Sequence, residues 1–317
     1  MKLALAGDTM LGRGVAEAIS EAQSLVAAEV AAAAAEADLF VLNLECCISA
    51  GGERWPHPHK PFFFRAPPEA ASLLAGLGVD CVTLANNHAL DFGYDALLET
   101  LEHLRESGIA SVGAGPSVAE ARAPAVLGAG GSRLGVVAFA DHPADFAAGS
   151  ARPGIAYADL RGEGVPGWVL ESVRDVDADV TLVTPHWGPN MAAEPRRYVR
   201  EAAKVLVDAG ATLVAGHSAH VFQGVAGRVL YDLGDFLDDY AVDAGLRNDL
   251  GLLFLVTLDE RGPHRIEAVP LKLDYCHTRL ATRDEAAWTA HRFRTACAAF
   301  GTEVADEDGR LVVRTSL

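Results

Sequence analysis

The sequence predicts an α/β fold with a largely parallel sheet, and three observations carry this prediction. Five short apolar runs rich in Val and Leu each end in a polar cluster, which is typical of buried strands in a sheet covered on both faces. Segments with helical apolar spacing alternate with these runs, as in βαβ units with right-handed crossovers. The chain has 317 residues, half of them apolar, so it can bury a large core without disulfides.

Strands and helices alternate regularly along the first 220 residues. The helix over 94–106 has an acidic start and a basic end and stops at Ser107-Gly108, and the helix over 195–209 begins with proline and is followed by glycine. The predicted strands cover 3–6, 39–42, 81–84, 133–139, 180–183 and 212–214, and the predicted helices cover about 15–36, 94–106, 168–176 and 195–209.

The pattern changes after residue 220. Strands over 228–231, 252–258 and 266–273 follow one another without helices, so we expect an antiparallel portion that closes the sheet or forms a second one. A helix over about 283–300 comes next. Residues 51–68 form a long insertion rich in proline and aromatic residues, and loops of that length are often functional. With no repeat or linker, a single domain over 1–317 is the simplest interpretation, with its motifs in 2–240 and a closing part in 228–317.

Composition excludes some classes of function. The formal net charge is −17 and no basic patch is evident, which argues against a nucleic-acid partner. The first strand leaves no room for a signal peptide, and no run of about 18 apolar residues predicts a membrane span. Five cysteines without a disulfide-framework spacing fit a reducing compartment. We therefore expect a cytoplasmic protein.

Polar side chains at the ends of the apolar runs form a mixed set of oxygen and imidazole donors. They are Asp8, Glu45, Asn87, His186, His217 and His220. Carboxyl ends of parallel strands meet at one edge of a sheet, so these groups should converge there. The set suits Mn²⁺, Fe²⁺ or Zn²⁺, and two such ions about 3.5–4 Å apart would lower the pKa of a shared water to about 7. Without a cation, mutual hydrogen bonds must offset the cost of burying these groups.

Two further pairs of residues are candidates for the site. Cys46 and Cys47 follow Glu45 directly, and a thiol there could transfer a proton or act as a nucleophile. The alternative is that both are small buried hydrophobes; in an extended segment at most one of them faces the crevice. Arg13 and Lys60 are candidates for holding an anionic group of a substrate.

Six motifs, in one order along the chain, carry a family resemblance. They are GDTMLGR at 7–13, NLE at 43–45, NNHALDFG at 86–93, HWG at 186–188, GHSAHV at 216–221 and YDLGDF at 231–236. Together they resemble the CapA family, named for capsule and poly-γ-glutamate synthesis proteins, within the calcineurin-like metallophosphatase superfamily. The resemblance covers about residues 2–240.

The resemblance implies a four-layer α-β-β-α sandwich with a divalent metal site, of two ions, at the strand ends. It makes Asp8 a ligand of the first site, Glu45 the bridging carboxylate and Asn87 a ligand of the second site. It also implies imidazole ligands at His186, His217 and His220, and a general acid at His88. The sequence departs from the superfamily, with Met10 at the usual histidine position and two residues between the last two histidines. A site without metal therefore stays an alternative.

Three functions follow as hypotheses. The first is metal-dependent hydrolysis of a phosphoester, or of an amide in a peptide or poly-γ-glutamate-like substrate, with His88 protonating the leaving group. The second is a cofactor-independent peptide epimerase of natural-product biosynthesis, in which two opposed groups, such as a thiol of Cys46 or Cys47 and the imidazole of His88 or His217, remove and return a Cα proton. The third is a non-catalytic binding component of capsule assembly. The substrate is peptide-like or a small anion in each case.

Overall fold

A computed structural model describes residues 1–57 and 60–315 of the chain. The helices are α1 (Arg13–Ser20), α2 (Ala28–Ala34), α3 (Glu69–Gly76), α4 (Gly93–Glu106), α5 (Val118–Arg122), α6 (Gly167–Asp175), α7 (Arg197–Ala209) and α8 (Arg283–Ala298), with a 3₁₀ turn over Ala144–Phe146. Within the described residues, every helix is too short or too polar to cross a lipid bilayer.

The strands fall into two large sheets and two short pairs. They are β1 (Lys2–Thr9), β2 (Leu39–Leu44), β3 (Cys47–Ile48), β4 (Arg65–Ala66), β5 (Cys81–Thr83), β6 (Ala110–Val112), β7 (Ala114–Gly115), β8 (Ala125–Ala129), β9 (Ser132–Ala140), β10 (Gly154–Ile155), β11 (Val180–His186), β12 (Leu213–Ala215), β13 (Val225–Ala226), β14 (Val229–Leu230), β15 (Asp235–Leu237), β16 (Leu250–Asp259), β17 (Gly262–Asp274), β18 (His277–Leu280), β19 (Ala305–Glu307) and β20 (Arg310–Arg314).

The first sheet has the strand order β19-β20-β17-β16-β1-β2-β5-β6, with β15 paired to β1 and β18 paired to β17. β1, β2, β5 and β6 are parallel, whereas β16, β17 and β20 run antiparallel to their neighbours. The antiparallel strands expected after residue 220 thus extend this sheet. At its carboxyl end β1 also pairs in parallel with β15, with a register shift at Asp8.

The second sheet has the order β13-β14-β12-β11-β9-β8. Its central strands β9, β11, β12 and β14 are parallel, and the antiparallel strands β8 and β13 form its edges. Parallel strands in both sheets agree with the βαβ rhythm of the sequence. The segment over 228–231, expected to be antiparallel, pairs in parallel with β12 on one side and antiparallel with β13 on the other.

Alternation along β9 shows how the layers pack. Leu134 and Val136 belong to the core that includes the first sheet, whereas Val137 and Phe139 face a second core with the apolar residues of α6 and α7. Helices α1 to α4 contribute their buried residues to the core of the first sheet. The layers are therefore helices, sheet, sheet and helices. This confirms the four-layer α-β-β-α sandwich that the family resemblance implies.

One predicted helix is broken in the structure. The segment over 15–36 contains α1 and α2 with an extended stretch between them, and Ala22 in that stretch has a φ of 55°. The stretch pairs with β18, since Thr278 N donates to Leu25 O and Ala27 N donates to Thr278 O, both at 2.8 Å. Tertiary pairing of the backbone therefore overrides the helical preference of this alanine-rich sequence.

Candidate metal centre

The predicted site residues meet in the seam between the two sheets. Asp8 lies at the end of β1, Glu45 follows β2, and Asn87 follows β5 in the first sheet. His186 ends β11 in the second sheet, and His217 N donates to Pro185 O at 3.0 Å, which holds the loop after β12 beside it. Parallel strands of both sheets thus deliver their carboxyl ends to one crevice.

Asp8 is buried and held by four groups. Its Oδ1 accepts a hydrogen bond from Asn43 Nδ2 at 2.8 Å and lies 3.2 Å from His217 Nδ1, and its Oδ2 lies 3.3 Å from both His220 Nδ1 and Ser218 N. Burial alone would raise the pKa of Asp8. The hydrogen bond from His217 and the charges of the nearby imidazoles outweigh this effect, so the pKa of Asp8 lies well below its ordinary range. Asp8 is therefore an ionised carboxylate.

Glu45 is a buried acid whose carboxyl oxygens receive no hydrogen bond from the described residues. His186 Nε2 is 3.9 Å from Oε1, and His220 Nδ1 is 3.8 Å from Oε2. Burial, with the negative charge of Asp8 as a second cause, raises the pKa of Glu45 well above its ordinary value. The carboxyl group thus lies between two imidazoles without a donor of its own.

His186 and Asn87 offer further unpartnered atoms. Both ring nitrogens of His186 and the side-chain oxygen of Asn87 are buried without a hydrogen-bond partner in the described parts of the chain. Burial lowers the pKa of His186 well below its ordinary value, so the ring is neutral and one nitrogen carries a lone pair. A neutral imidazole and an amide oxygen are both ordinary ligands of divalent cations.

An acidic segment after β14 supports His220. Asp235 Oδ1 lies 2.8 Å from His220 Nδ1, and Asp232 accepts backbone hydrogen bonds from Ala219 and Gly234 at 2.9 Å each. Burial raises the pKa of Asp232 and of Asp235 well above the ordinary value. Burial alone would lower the pKa of His220, but the charges of Glu45 and Asp8 raise it overall.

The residues present fit a divalent cation. Asp8, Glu45 and His220 offer donor atoms that all lie within 4.8 Å of one another. The acidic groups crowded around His220 outnumber the imidazoles, so a bound cation would relieve both the like-charge repulsion and the unpartnered oxygens of Glu45. His186 and His217 border the same set, so the donors are those that Mn²⁺, Fe²⁺ or Zn²⁺ accept.

His88 lies beside this cluster and is held by a buried carboxylate. Its Nδ1 is 2.6 Å from Asp91 Oδ2, its backbone N–H donates to Asn86 Oδ1 at 3.0 Å, and its ring packs on Phe64 with centroids 4.2 Å apart. Burial lowers the pKa of His88, and the charge of Asp91 only partly opposes this. The ring is therefore neutral with its Nδ1–H donated to Asp91, which leaves a lone pair on Nε2.

Residues 2–240 match the model of a family described as bacterial capsule synthesis protein PGA_cap. The chain belongs to the PGA_cap family. A probable polyglutamine synthesis accessory protein of Mycobacterium tuberculosis is 32% identical to it in an alignment of 297 positions that covers 87% of this chain and 76% of that protein. PGA biosynthesis protein CapA of Bacillus subtilis is 27% identical in an alignment of 222 positions that covers 68% of this chain and 56% of that protein.

Among solved structures, that of a hypothetical protein from Thermus thermophilus resembles this PGA_cap chain with a TM-score of 0.46 and 17% sequence identity. The match covers 88% of this chain and 96% of that one. The fold is assigned from the sheet topology and layer order of this chain and not from this weak likeness.

The two predicted anion-binding residues of this PGA_cap chain already have partners. Arg13 forms an ion pair with Asp239, and its guanidinium lies over the ring of Tyr240 at 5.5 Å from the centroid. Lys60 Nζ donates to Asn87 O at 2.6 Å and lies 2.9 Å from Asp91 Oδ1. An anion would have to compete with these contacts, which counts against the prediction that these residues hold a substrate.

Both cysteines beside Glu45 have core environments. Cys46 and Cys47 are fully buried, and Cys47 Sγ lies 3.4 Å from Phe64 O. Burial raises the pKa of Cys46 well above its ordinary value and that of Cys47 to about 12. Both are therefore thiols at neutral pH, which counts against a role as nucleophile or as one half of an epimerase pair.

The structure adds several residues to which the sequence assigned no role. Asp91, three residues after His88, orients that ring, and Asn43 and Asp235 hold Asp8 and His220. The segment 231–236 was recognised as a motif in the sequence. Nothing in its sequence position indicated that its aspartates contact His220 and the loop that carries it. Asp141 pairs with His142, whose ring centroid lies 5.3 Å from that of His186.

Proposed function

We propose that this PGA_cap protein is a metal-dependent hydrolase that cleaves an amide or phosphoester bond of a peptide-like or poly-γ-glutamate-like substrate. The observation that carries the proposal is the buried Glu45 carboxylate, which has no hydrogen-bond donor among the described residues and lies between the imidazoles of His186 and His220. A bound divalent cation supplies water activation at neutral pH and polarises the bond to be cleaved.

The residues of the chain have separate tasks in this proposal. Asp8, ionised and fixed by Asn43, anchors the cation together with Glu45 and His220, and His186 and Asn87 complete the donor set. Asp91 holds the His88 ring so that Nε2 is available to the substrate. Nε2 takes a proton from the attacking water as its oxygen bonds to the carbonyl carbon or phosphorus. It then returns that proton to the nitrogen or oxygen of the leaving group as the old bond breaks.

The substrate class in this proposal is supported by the relatives. One is named a polyglutamine synthesis accessory protein and another a PGA biosynthesis protein, which favours a polymer joined by amide bonds. The same names also fit a non-catalytic component. The epimerase alternative requires two opposed proton carriers, and the high pKa of both thiols counts against either of them as the base.

The test combines metal content with turnover. We expect elemental analysis of the purified protein to find one or two equivalents of Mn, Fe or Zn, and a panel of glutamyl amides, peptides and phosphoesters to reveal hydrolysis. Asp8→Asn should abolish both, whereas Glu36→Gln, a matched surface substitution, should leave both unchanged. Solvent deuterium entering a peptide Cα without added metal would replace this proposal with epimerisation. Substrate binding with full metal and no turnover would replace it with a binding role.

A further inference from the structure

A cavity of about 300 Å³ opens beside the candidate metal centre. Its lining includes Trp55, Lys60 and Phe62 before β4, His142, Pro143 and Phe146 after β9, and Asn87 and His88. Trp55 Nε1 donates to Asp145 Oδ2 at 2.8 Å, and this bond ties the segment before β4 to the segment after β9. The volume is at the lower end of the range for small-ligand sites, so it suits one side chain with its adjoining amide.

Aromatic rings form much of the cavity wall. Trp55 packs edge-on against Phe146 with centroids 5.1 Å apart, and Phe62, whose side chain is about half exposed, stands at the mouth. Phe146 itself is fully buried and so is held firmly in place. Such faces favour an apolar or aromatic group, because they gain from contact with it and lose little hydration.

The lysine on the described wall already has an acidic partner. Among the described lining residues, Lys60 is the one lysine or arginine, and its ammonium lies 2.9 Å from Asp91 Oδ1 and 5.4 Å from the centroid of Phe146. The acid on the wall, Asp145, would repel a carboxylate. A glutamyl side chain placed here would therefore be an unpaired charge in a partly apolar site.

Two histidines on the wall are each held by a carboxylate. His88 is paired with Asp91 through Nδ1, and His142 is paired with Asp141 through Nδ1. Asp141 is fixed in turn by Tyr198 OH at 3.1 Å and by Gly188 N–H at 3.2 Å. Each ring can use only Nε2 towards a ligand, which suits the N–H and C=O groups of a peptide unit.

We propose that this cavity binds an uncharged aromatic or aliphatic side chain of a peptide substrate, directly beside the bond to be cleaved, and disfavours a glutamyl side chain. The inference deepens the proposed hydrolase function, rests on it for the position of the bond, and selects the peptide-like substrates of that proposal over the poly-γ-glutamate-like ones. The inference concerns which side chain the cavity prefers, and this preference can be measured by binding without turnover.

The test measures binding to the metal-free protein with three capped amino acids at pH 7. The probes are the N-acetyl methylamides of phenylalanine, glutamine and glutamate, titrated by ligand-observed NMR. We expect the phenylalanine probe to bind at least tenfold more tightly than the glutamate probe, with glutamine between them. Equal or tighter binding of the glutamate probe would overturn the inference.

Two substitutions at the cavity mouth locate the binding. Asn190→Arg adds a cation at an exposed lining position, and we expect it to tighten the glutamate probe at least fivefold while leaving the phenylalanine probe unchanged. Asn190→Gln is the matched neutral control and should change neither. Phe62→Ser should weaken the phenylalanine probe at least threefold. If Asn190→Arg and Phe62→Ser change nothing, the probes bind elsewhere and the inference is wrong.

The outcomes separate this inference from the hydrolase proposal. A tenfold preference for the phenylalanine probe together with no turnover of any substrate would leave the cavity assignment in place and end the hydrolase proposal. Turnover of glutamyl amides with no preference for the phenylalanine probe would do the reverse.

Discussion

Replacing Glu45 by glutamine should stabilise the metal-free protein at neutral pH. Glu45 is buried without a hydrogen-bond partner in the described chain, and burial together with Asp8 raises its pKa well above the ordinary value. A carboxyl group whose pKa is raised in the folded state takes up a proton on folding. It favours the folded state fully below its unfolded pKa and loses that contribution as pH rises through the folded pKa.

The magnitude has an upper bound. The protein can always fold with Glu45 protonated. The destabilisation that Glu45 causes at pH 7 therefore cannot exceed the free energy needed to protonate it in the unfolded chain. With an unfolded pKa of about 4.3 and about 1.36 kcal/mol per unit, that cost is about 3.7 kcal/mol. Replacing Glu45 by glutamine removes this cost, so Glu45→Gln should raise the free energy of unfolding at pH 7 by up to about 3.7 kcal/mol.

Urea denaturation in chelator between pH 4.5 and 7.5 measures this difference. We expect the gain from Glu45→Gln to shrink to near zero at the acidic end and to reverse on adding Mn²⁺, Fe²⁺ or Zn²⁺, which should stabilise the wild type far more than the variant. Glu36→Gln is the control, because hydrogen bonds from Arg310 lower the pKa of Glu36 and its loss should not stabilise. A Glu45→Gln variant no more stable than wild type at pH 7 would refute the reasoning.

Three further predictions follow from named contacts. Asp91→Asn should lower turnover about 100-fold with little change in KM, because His88 loses the partner that fixes its tautomer; an unchanged kcat would remove His88 from the mechanism. Gly7→Ala should cost more than about 3 kcal/mol of stability in urea melts, since its Cβ would lie 1.8 Å from Gly234 O, whereas Gly128→Ala, with open space, should cost under about 0.5 kcal/mol. Arg279 lowers the pKa of Glu285 to about 2, so Glu285→Gln should cost about 1 kcal/mol above pH 5, and the difference should vanish as pH falls towards 2; a difference that persists at low pH would contradict this.

Much of the fold was predictable from the sequence because it depends on local patterns. Continuous apolar runs predicted the parallel strands, and the glycine after α7 predicted where that helix ends, with Gly210 at a φ of 118°. The division of the strands between two sheets was predicted from the family resemblance and not from the apolar runs, because the sequence of a buried strand does not indicate which strand pairs with it. The break between α1 and α2 was missed because it depends on pairing with a strand about 250 residues away.

The site was predictable as far as strand ends converge. Asp8, Glu45 and His186 were predicted to converge because each follows an apolar run, and the structure places their side chains close together. Asn87 was predicted in the same way and lies beside His88 in the cavity lining. The partners that orient them were not found, because Asp235 and Asn43 act through contacts across the fold that no spacing shows. For the same reason the sequence did not reveal that Arg13 and Lys60, the candidates for holding an anionic group, each have an acidic partner.

The central place of β1 in its sheet has a consequence for synthesis on the ribosome. One edge of this strand can pair early with β2, but its other edge waits for β16, about 250 residues later in the chain. At about 5–20 residues per second that delay is on the order of 12–50 s. During it the apolar strand β1 presents unsatisfied backbone groups along one edge, so nascent or truncated chains ending before residue 250 should depend on chaperones and aggregate readily.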